Sequence, residues 1–209
     1  MAKPNIKGLR IIRALLTSPN GSLTRYSLSK KLNISRQWII EFLRTLESLN
    51  LVKDTKVIDL NKLIDYYIKI DTLRQKKYHF YISSPLEFLK DIKFNYALTT
   101  YSAENIVNHH LFPHRFDVYI SKEDFTDIRD LIIKKGLVGN GNLTLIISND
   151  ENILTEAEKI RGLNVVSIPQ LLIDLKKEGG VCIEAYNILL ERYIKQTKNK
   201  IKIAEKIYV

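Results

Sequence analysis

The stretch Ile34-Ser-Arg-Gln-Trp-Ile-Ile-Glu-Phe-Leu-Arg-Thr-Leu-Glu-Ser-Leu-Asn-Leu-Val52 decides how the chain is read, because it contains one helix and both of its ends. Ser35 suits an N-cap, since its side-chain oxygen accepts one of the N–H groups that a first turn leaves unpaired. Ile39, Phe42, Leu43, Leu46 and Leu49 recur at three- and four-residue steps, which makes one apolar stripe that must face a core. The opposite face carries Arg36, Gln37, Ile40, Glu41 and Arg44. Asn50 follows the stripe, where a helix leaves through the left-handed conformation that Asn tolerates. Leu51-Val-Lys-Asp-Thr-Lys-Val-Ile58 then reads as two short strands turning near Asp54.

Two further helices precede this one. Leu9, Ile12, Leu15 and Leu16 form a stripe that stops at Thr17-Ser-Pro-Asn-Gly21, whose Pro and Gly cannot continue a helix. Thr24 caps a second helix, Arg25 to Leu32, with Leu28 and Leu32 inward and the small Ser29 allowing close approach; Asn33 makes the tight turn into Ser35. The pattern Leu28-Ser29, Leu32, Asn33-Ile34-Ser35, Ile39, Leu43, Leu46 and Leu49-Asn50-Leu51-Val52 resembles the winged helix-turn-helix family position by position. Such motifs push the start of the third helix into a DNA major groove. The expected partner is double-stranded DNA, contacted by Arg25, Lys30, Ser35, Arg36, Gln37, Trp38, Ile40 and Arg44, with Lys53 and Lys56 on the wing. Arg36 and Gln37 are the expected base readers. Trp38 has two readings, contact with a thymine methyl or sugar and packing against the first helix or wing. Lys30 and Lys31 either bind phosphate or solvate the second helix.

Charge supports the same assignment independently. Residues 1–77 hold 16 basic and 6 acidic side chains, a net of +10, whereas residues 78–209 hold 17 of each. Charge confined to the helix-turn-helix segment is what phosphate neutralisation requires. Within the remainder, residues 192–209 carry 6 basic and 1 acidic, so the chain ends in a basic tail.

At 209 residues with 45% hydrophobic content, the length fits two domains. The single cysteine, Cys182, rules out an internal disulfide and a cysteine zinc cluster, and implies a reducing cytoplasm. No long uncharged apolar run occurs, so neither a signal peptide nor a membrane span is expected. The expected organisation is a winged helix over 1–60, a connecting helix over 61–77, a mixed domain over 78–195 and a basic tail over 196–209. The connecting helix rests on Leu60, Leu63, Ile64, Tyr67 and Ile68 after a cap at Asn61, and either packs on the winged domain or pairs in a homodimer. Beyond Lys77, strands are expected at 78–83, 116–121, 143–148 and 164–168. Helices are expected at 85–93, 100–110, 122–135, 152–161 and 170–191, the last broken at Gly179-Gly180. The fold class is α/β, in its α+β form: a winged helix-turn-helix and a second domain with helices covering a small sheet.

That second domain also resembles a family. Tyr96-Ala-Leu-Thr-Thr-Tyr-Ser-Ala-Glu-Asn105, Pro113 through Ile120, Asn142 through Ile147, and above all Val165-Val-Ser-Ile-Pro-Gln-Leu-Leu-Ile-Asp-Leu175 followed by Glu184 through Leu189 resemble the C-terminal domain of AbiEi-type antitoxins. The likeness covers roughly residues 8–195 in order. It implies a winged-helix regulator that represses its own operon and opposes a nucleotidyltransferase-like toxin encoded beside it. The chain departs at Gly179-Gly180, where related chains usually carry an Arg-containing basic loop.

Other chemistries fit less well. His109, His110 and His114 lie within six residues, but adjacent helical side chains point about 100° apart and no cysteine is nearby, so no metal is expected. A nucleotidyltransferase needs a Gly-Ser turn followed by paired carboxylates, and Gly21-Ser22 has none after it. Asp91 and Lys93 have nuclease spacing but fall at a helix end, and Asp174 reads as a local cap or pair. No phosphate loop or nucleophile elbow occurs. The protein is therefore expected to be no enzyme and to need no cofactor. The alternatives are a ligand-sensing winged-helix regulator without a toxin partner and a nucleic-acid-processing enzyme. The tail, with Arg192, Lys195, Lys198, Lys200, Lys202 and Lys206, is either a second nucleic-acid contact or, through Ile201, Ile203, Ile207 and Val209, a strand or dimer element.

Overall fold

The structure is a computed structural model that describes residues 6–135, 137–139 and 141–207, without the side chains of 137, 138 and 198–207. The chain divides into two compact units, Met1–Thr72 with Asn187–Val209, and Leu73–Tyr186.

In the first unit, α1 (Ile6–Thr17), α2 (Arg25–Leu32) and α3 (Arg36–Ser48) are followed by the strands β1 (Val52–Lys53) and β2 (Lys56–Val57) and by α4 (Leu60–Ile70). The helix boundaries follow from side-chain caps. Thr24 accepts from the Ser27 N–H at 3.0 Å and Ser35 from the Trp38 N–H at 3.4 Å. The turn between α2 and α3 is fixed by Asn33 at φ 51°, by the Ile34 N–H on the Ser29 carbonyl, and by the Ser29 hydroxyl on the Ile34 carbonyl at 2.6 Å. Asn50, at φ 54°, ends α3 while the Leu51 N–H returns to the Leu46 carbonyl. Ile39, Phe42, Leu43 and Leu46 are buried, each contributing about 1.5–3 kcal/mol of apolar burial. Leu49 does not join them: it sits one turn past Leu46, where the chain peels away, and is 49% exposed. Val52 pairs with Val57 and Lys53 with Lys56. Gly21, at φ +82°, lies against β2, where an added Cβ would meet the Lys56 Cβ at 3.0 Å. The helix α4 is capped by Asp59, two residues before the expected Asn61, because the Asp59 carboxylate accepts from the Lys62 N–H at 3.0 Å. Its Leu63, Ile64 and Tyr67 are buried, and it packs on α1.

The second unit is built from β3 (Lys77–Tyr81), α5 (Pro85–Asp91), β4 (Tyr96–Thr99), α6 (Thr100–Val107), β5 (Phe116–Ile120), α7 (Phe125–Lys135), β6 (Leu137–Val138), β7 (Leu143–Ile147), α8 (Asn152–Thr155), β8 (Glu158–Ile160), β9 (Leu163–Val165) and α9 (Ile168–Glu178). Among the described residues these strands form one seven-stranded sheet in the order β6-β3-β7-β5-β4-β9-β8. The pairs β5–β7 and β4–β9 are parallel and the others antiparallel. Every residue of β4 and of β7 is buried, as expected of strands covered on both faces. This mixed α+β architecture matches the expected fold class. Three local expectations are corrected. The strand β4 lies outside the strands expected from sequence, because a four-residue apolar run that leads straight into a helix has no alternation to mark it. The helix expected over 152–161 is only α8, after which β8 and β9 form a hairpin. Arg161 and Gly162, at φ 51° and 82°, make the two-residue turn that matches strand twist. Domain limits differ as well.

The helix α10 (Cys182–Ile207) spans the limits expected at 195 and 196. Residues from 187 onward belong with the first unit, where Tyr193 is buried and its hydroxyl donates to the Leu16 carbonyl at 2.8 Å. The stretch 196–207 continues that helix, so the strand alternative is corrected. Lys198, Lys200, Lys202, Lys206, Ile201, Ile203 and Ile207 have no described side chains, and Val209 lies outside the described residues.

Candidate nucleic-acid interface

The first unit carries the charge. Its two segments hold 19 basic and 8 acidic residues, a net of +11, against 14 and 15 in the second unit, a net of −1. Within that unit the helix start at Ser35 presents Arg36 and Gln37 to solvent, with Arg44 exposed two turns on and Ile40 half-buried. Ser35 itself spends its hydroxyl oxygen on capping Trp38. The Gln37 amide donates to the Glu41 carboxylate at 2.7 Å, an i,i+4 pair that engages it along its own helix. No hydrogen bond engages Arg36 among the described residues. Trp38 is half-buried and stacks on Phe42 at 5.2 Å with the rings 19° apart, while Lys7 Nζ lies 6.0 Å from its ring centre. The stacking partner thus lies on its own helix, and the first helix contributes the Lys7 ammonium.

The wing is short and tied down. Asp54, at φ 54°, turns the two strands; its N–H donates to the Glu47 carboxylate at 2.7 Å and its own carboxylate accepts from Arg25 Nε at 2.8 Å. Arg25 therefore joins the start of α2 to the wing turn, and a phosphate would have to compete with Asp54 for it. Lys53 and Lys56 are exposed and directly opposite each other, so like charges are held close at the wing tip. Lys30 lies with its Nζ 4.9 Å from the ring centre of Tyr26, which is 51% exposed, and Arg36 Cζ lies 5.8 Å from the same ring. Tyr26 escaped the sequence reading. The available signal was its position four residues before Lys30 on the solvent face of α2.

The second unit concentrates its polar chemistry inside. Asp174 accepts from the Thr99 hydroxyl at 2.6 Å, the Gln170 amide at 2.9 Å and the Tyr119 hydroxyl at 3.1 Å, so it ties β4, β5 and α9 together rather than capping locally. Burial pushes its carboxyl above the ordinary range despite those donors. Arg115 grips Asp117 through two bonds of 2.8 Å and Glu178 through a third. Burial works against that charge, yet the Asp117 and Glu178 carboxylates outweigh it and hold the guanidinium above its ordinary pKa. Thr100, the first residue of α6, sits at φ 50° with its hydroxyl on Asp117. A β-branched residue in this region is strained, and the buried carboxylate holds it there. Burial also raises the Tyr101 phenol and the Cys182 thiol. The three clustered histidines have separate surroundings: His109 near Arg161, His110 near Glu184, and His114 edge-on to Tyr101. Among the described residues no group of His, Cys, Asp and Glu is arranged to hold a metal ion, and no helix is long and apolar enough to cross a membrane. No protein-family model, curated protein or solved structure matches the chain.

Proposed function

We propose that this protein is a sequence-specific DNA-binding transcriptional regulator, cytoplasmic, acting by binding rather than catalysis through its first unit. The observation that supports this most is the solvent-facing start of α3 with an Arg36 that makes no hydrogen bond among the described residues, inside a unit of net charge +11. A helix N-terminus with basic side chains around it suits a phosphate-lined groove. The experiment is a salt titration of the full chain on duplex DNA. Log affinity should fall against log salt with a slope of about −0.9 for each phosphate contacted. Salt-insensitive binding, or none, overturns the proposal.

We further infer an autorepressing antitoxin of the AbiEi type, opposing a nucleotidyltransferase-like toxin and binding its operator as a homodimer. The support is the order of the segments that resemble that family, with Val165 through Leu175 followed by Glu184 through Leu189. A ligand-sensing regulator is favoured by one feature, an open depression of about 520 Å³ in the second unit lined by His79, Tyr81, His114, Arg115, Gly141 and Asn142. Protection of cells from the neighbouring toxin separates the two readings.

A further inference from the structure

Tyr26 occupies the first turn of α2, half exposed, with cations from two helices on one ring: Lys30 of α2 with Nζ at 4.9 Å and Arg36 of α3 with Cζ at 5.8 Å. A guanidinium is drawn to an aromatic face by the ring quadrupole. At 5.8 Å this contact uses none of the N–H donors of Arg36, which stay open to a further partner. Those edge donors match the O6 and N7 acceptors of guanine in the major groove. Arg36 makes no hydrogen bond among the described residues, whereas the neighbouring Gln37 amide is engaged by Glu41. The turn between the helices is fixed by Asn33 and by the Ser29–Ile34 bonds, so the backbones at Tyr26 and Arg36 keep a set separation.

We propose that Tyr26 is a positioning residue for base readout: its ring holds the Arg36 guanidinium so that Arg36 reads one guanine in the major groove. Lys30, on the same ring, adds charge without base information. The inference rests on the DNA-binding reading and adds to it a base, a reader and the residue that aims the reader.

The test begins by enriching duplexes from a randomised pool with the full chain. Each guanine of the enriched duplex is then replaced in turn by 7-deazaguanine, which removes the N7 acceptor. One position should weaken wild-type binding roughly fivefold or more. Arg36→Ala should abolish that penalty, Tyr26→Leu should shrink it by about two- to fivefold, and Tyr26→Phe, which keeps the ring, should retain it. Tyr26→Leu combined with Arg36→Ala should lose no more discrimination than Arg36→Ala alone. Circular dichroism and an unchanged Tm establish that the variants are folded, and Tyr26→Gln replaces Tyr26→Leu if the latter aggregates. A Tyr26→Leu protein that weakens on every duplex alike with the penalty intact, or losses that add in the double variant, overturns the positioning role. If Arg36→Ala removes the penalty and the Tyr26 variants leave it unchanged, the positioning role alone fails. If no duplex is enriched, the DNA-binding reading fails and the inference with it.

Discussion

Arg36 and Gln37 are adjacent in sequence and equal as candidate base readers, yet Gln37 has one of its two amide N–H donors on Glu41 whereas Arg36 makes no hydrogen bond among the described residues. Arg36→Ala should cost about 1–3 kcal/mol on the cognate duplex and much less on random DNA. Gln37→Ala should cost less than Arg36→Ala, because its amide already serves Glu41. Fluorescence anisotropy on both duplexes checks this, and equal losses on the two for Arg36→Ala would show that another residue reads the bases. In the second unit, burial raises Asp174 above its ordinary value of 3.8, so the folded state favours its protonated form. Below that value both states are protonated and the group exacts no penalty. As pH rises from there through the raised folded pKa, the unfolded chain ionises first and stability is lost. Asp174→Asn should therefore gain stability relative to the wild type as pH rises above about 4. Urea unfolding of both proteins across that range reads the difference, and a difference independent of pH would mean that folding does not raise the Asp174 pKa.

At the scale of elements, α3 is the best specified part of the chain. Its cap, its buried stripe and its left-handed exit all lie within residues 35–50, and each is satisfied locally. Leu43, at 1% exposure, carries the packing, and Leu43→Ala should cost about 2–5 kcal/mol by urea titration. The wing behaves differently. Its strands are two residues each, and their placement depends on Arg25, Glu47 and Gly21, which come from other elements. Because Lys53 and Lys56 stand opposite each other and neither ammonium makes a hydrogen bond or ion pair among the described residues, each should serve as a phosphate anchor. Lys53→Ala or Lys56→Ala should weaken cognate and random DNA alike and reduce the magnitude of the salt slope by about 0.9. A loss confined to the cognate duplex would assign the wing a part in base reading.

At the scale of the molecule, α10 changes what can be cut away. Tyr193 is buried against the carbonyl end of α1, so a winged-helix fragment ending at residue 77 lacks part of its own core. Tyr193→Phe should lower the stability of the first unit by about 1 kcal/mol, read from its own unfolding transition. No change would mean that water replaces the lost hydroxyl. The division into units also bears on the antitoxin proposal. Arg36→Ala with Gln37→Ala alters only exposed side chains of the first unit, so repression should be lost while protection from the neighbouring toxin is kept. Co-expression with the toxin, with both proteins shown to accumulate, decides it. Full toxicity beside a folded double variant leaves the ligand-sensing regulator as the better reading.

The sequence by itself determined the three helices, the caps of the second and third, the wing turn at Asp54 and most strands of the second unit. These depend on periodicity, capping and turn chemistry acting over a few residues, and such signals are written locally. It also located the excess charge, since charge needs only counting. Only the tertiary structure decided that residues 187–207 belong with the first unit, that β4 is a strand, and that Asp174 joins three elements. It alone placed Tyr26 beside Arg36 and joined Arg25 to the wing. Each of these depends on contacts between residues distant in sequence, whose pairing is selected by the packing of whole elements and leaves no periodic trace in the chain.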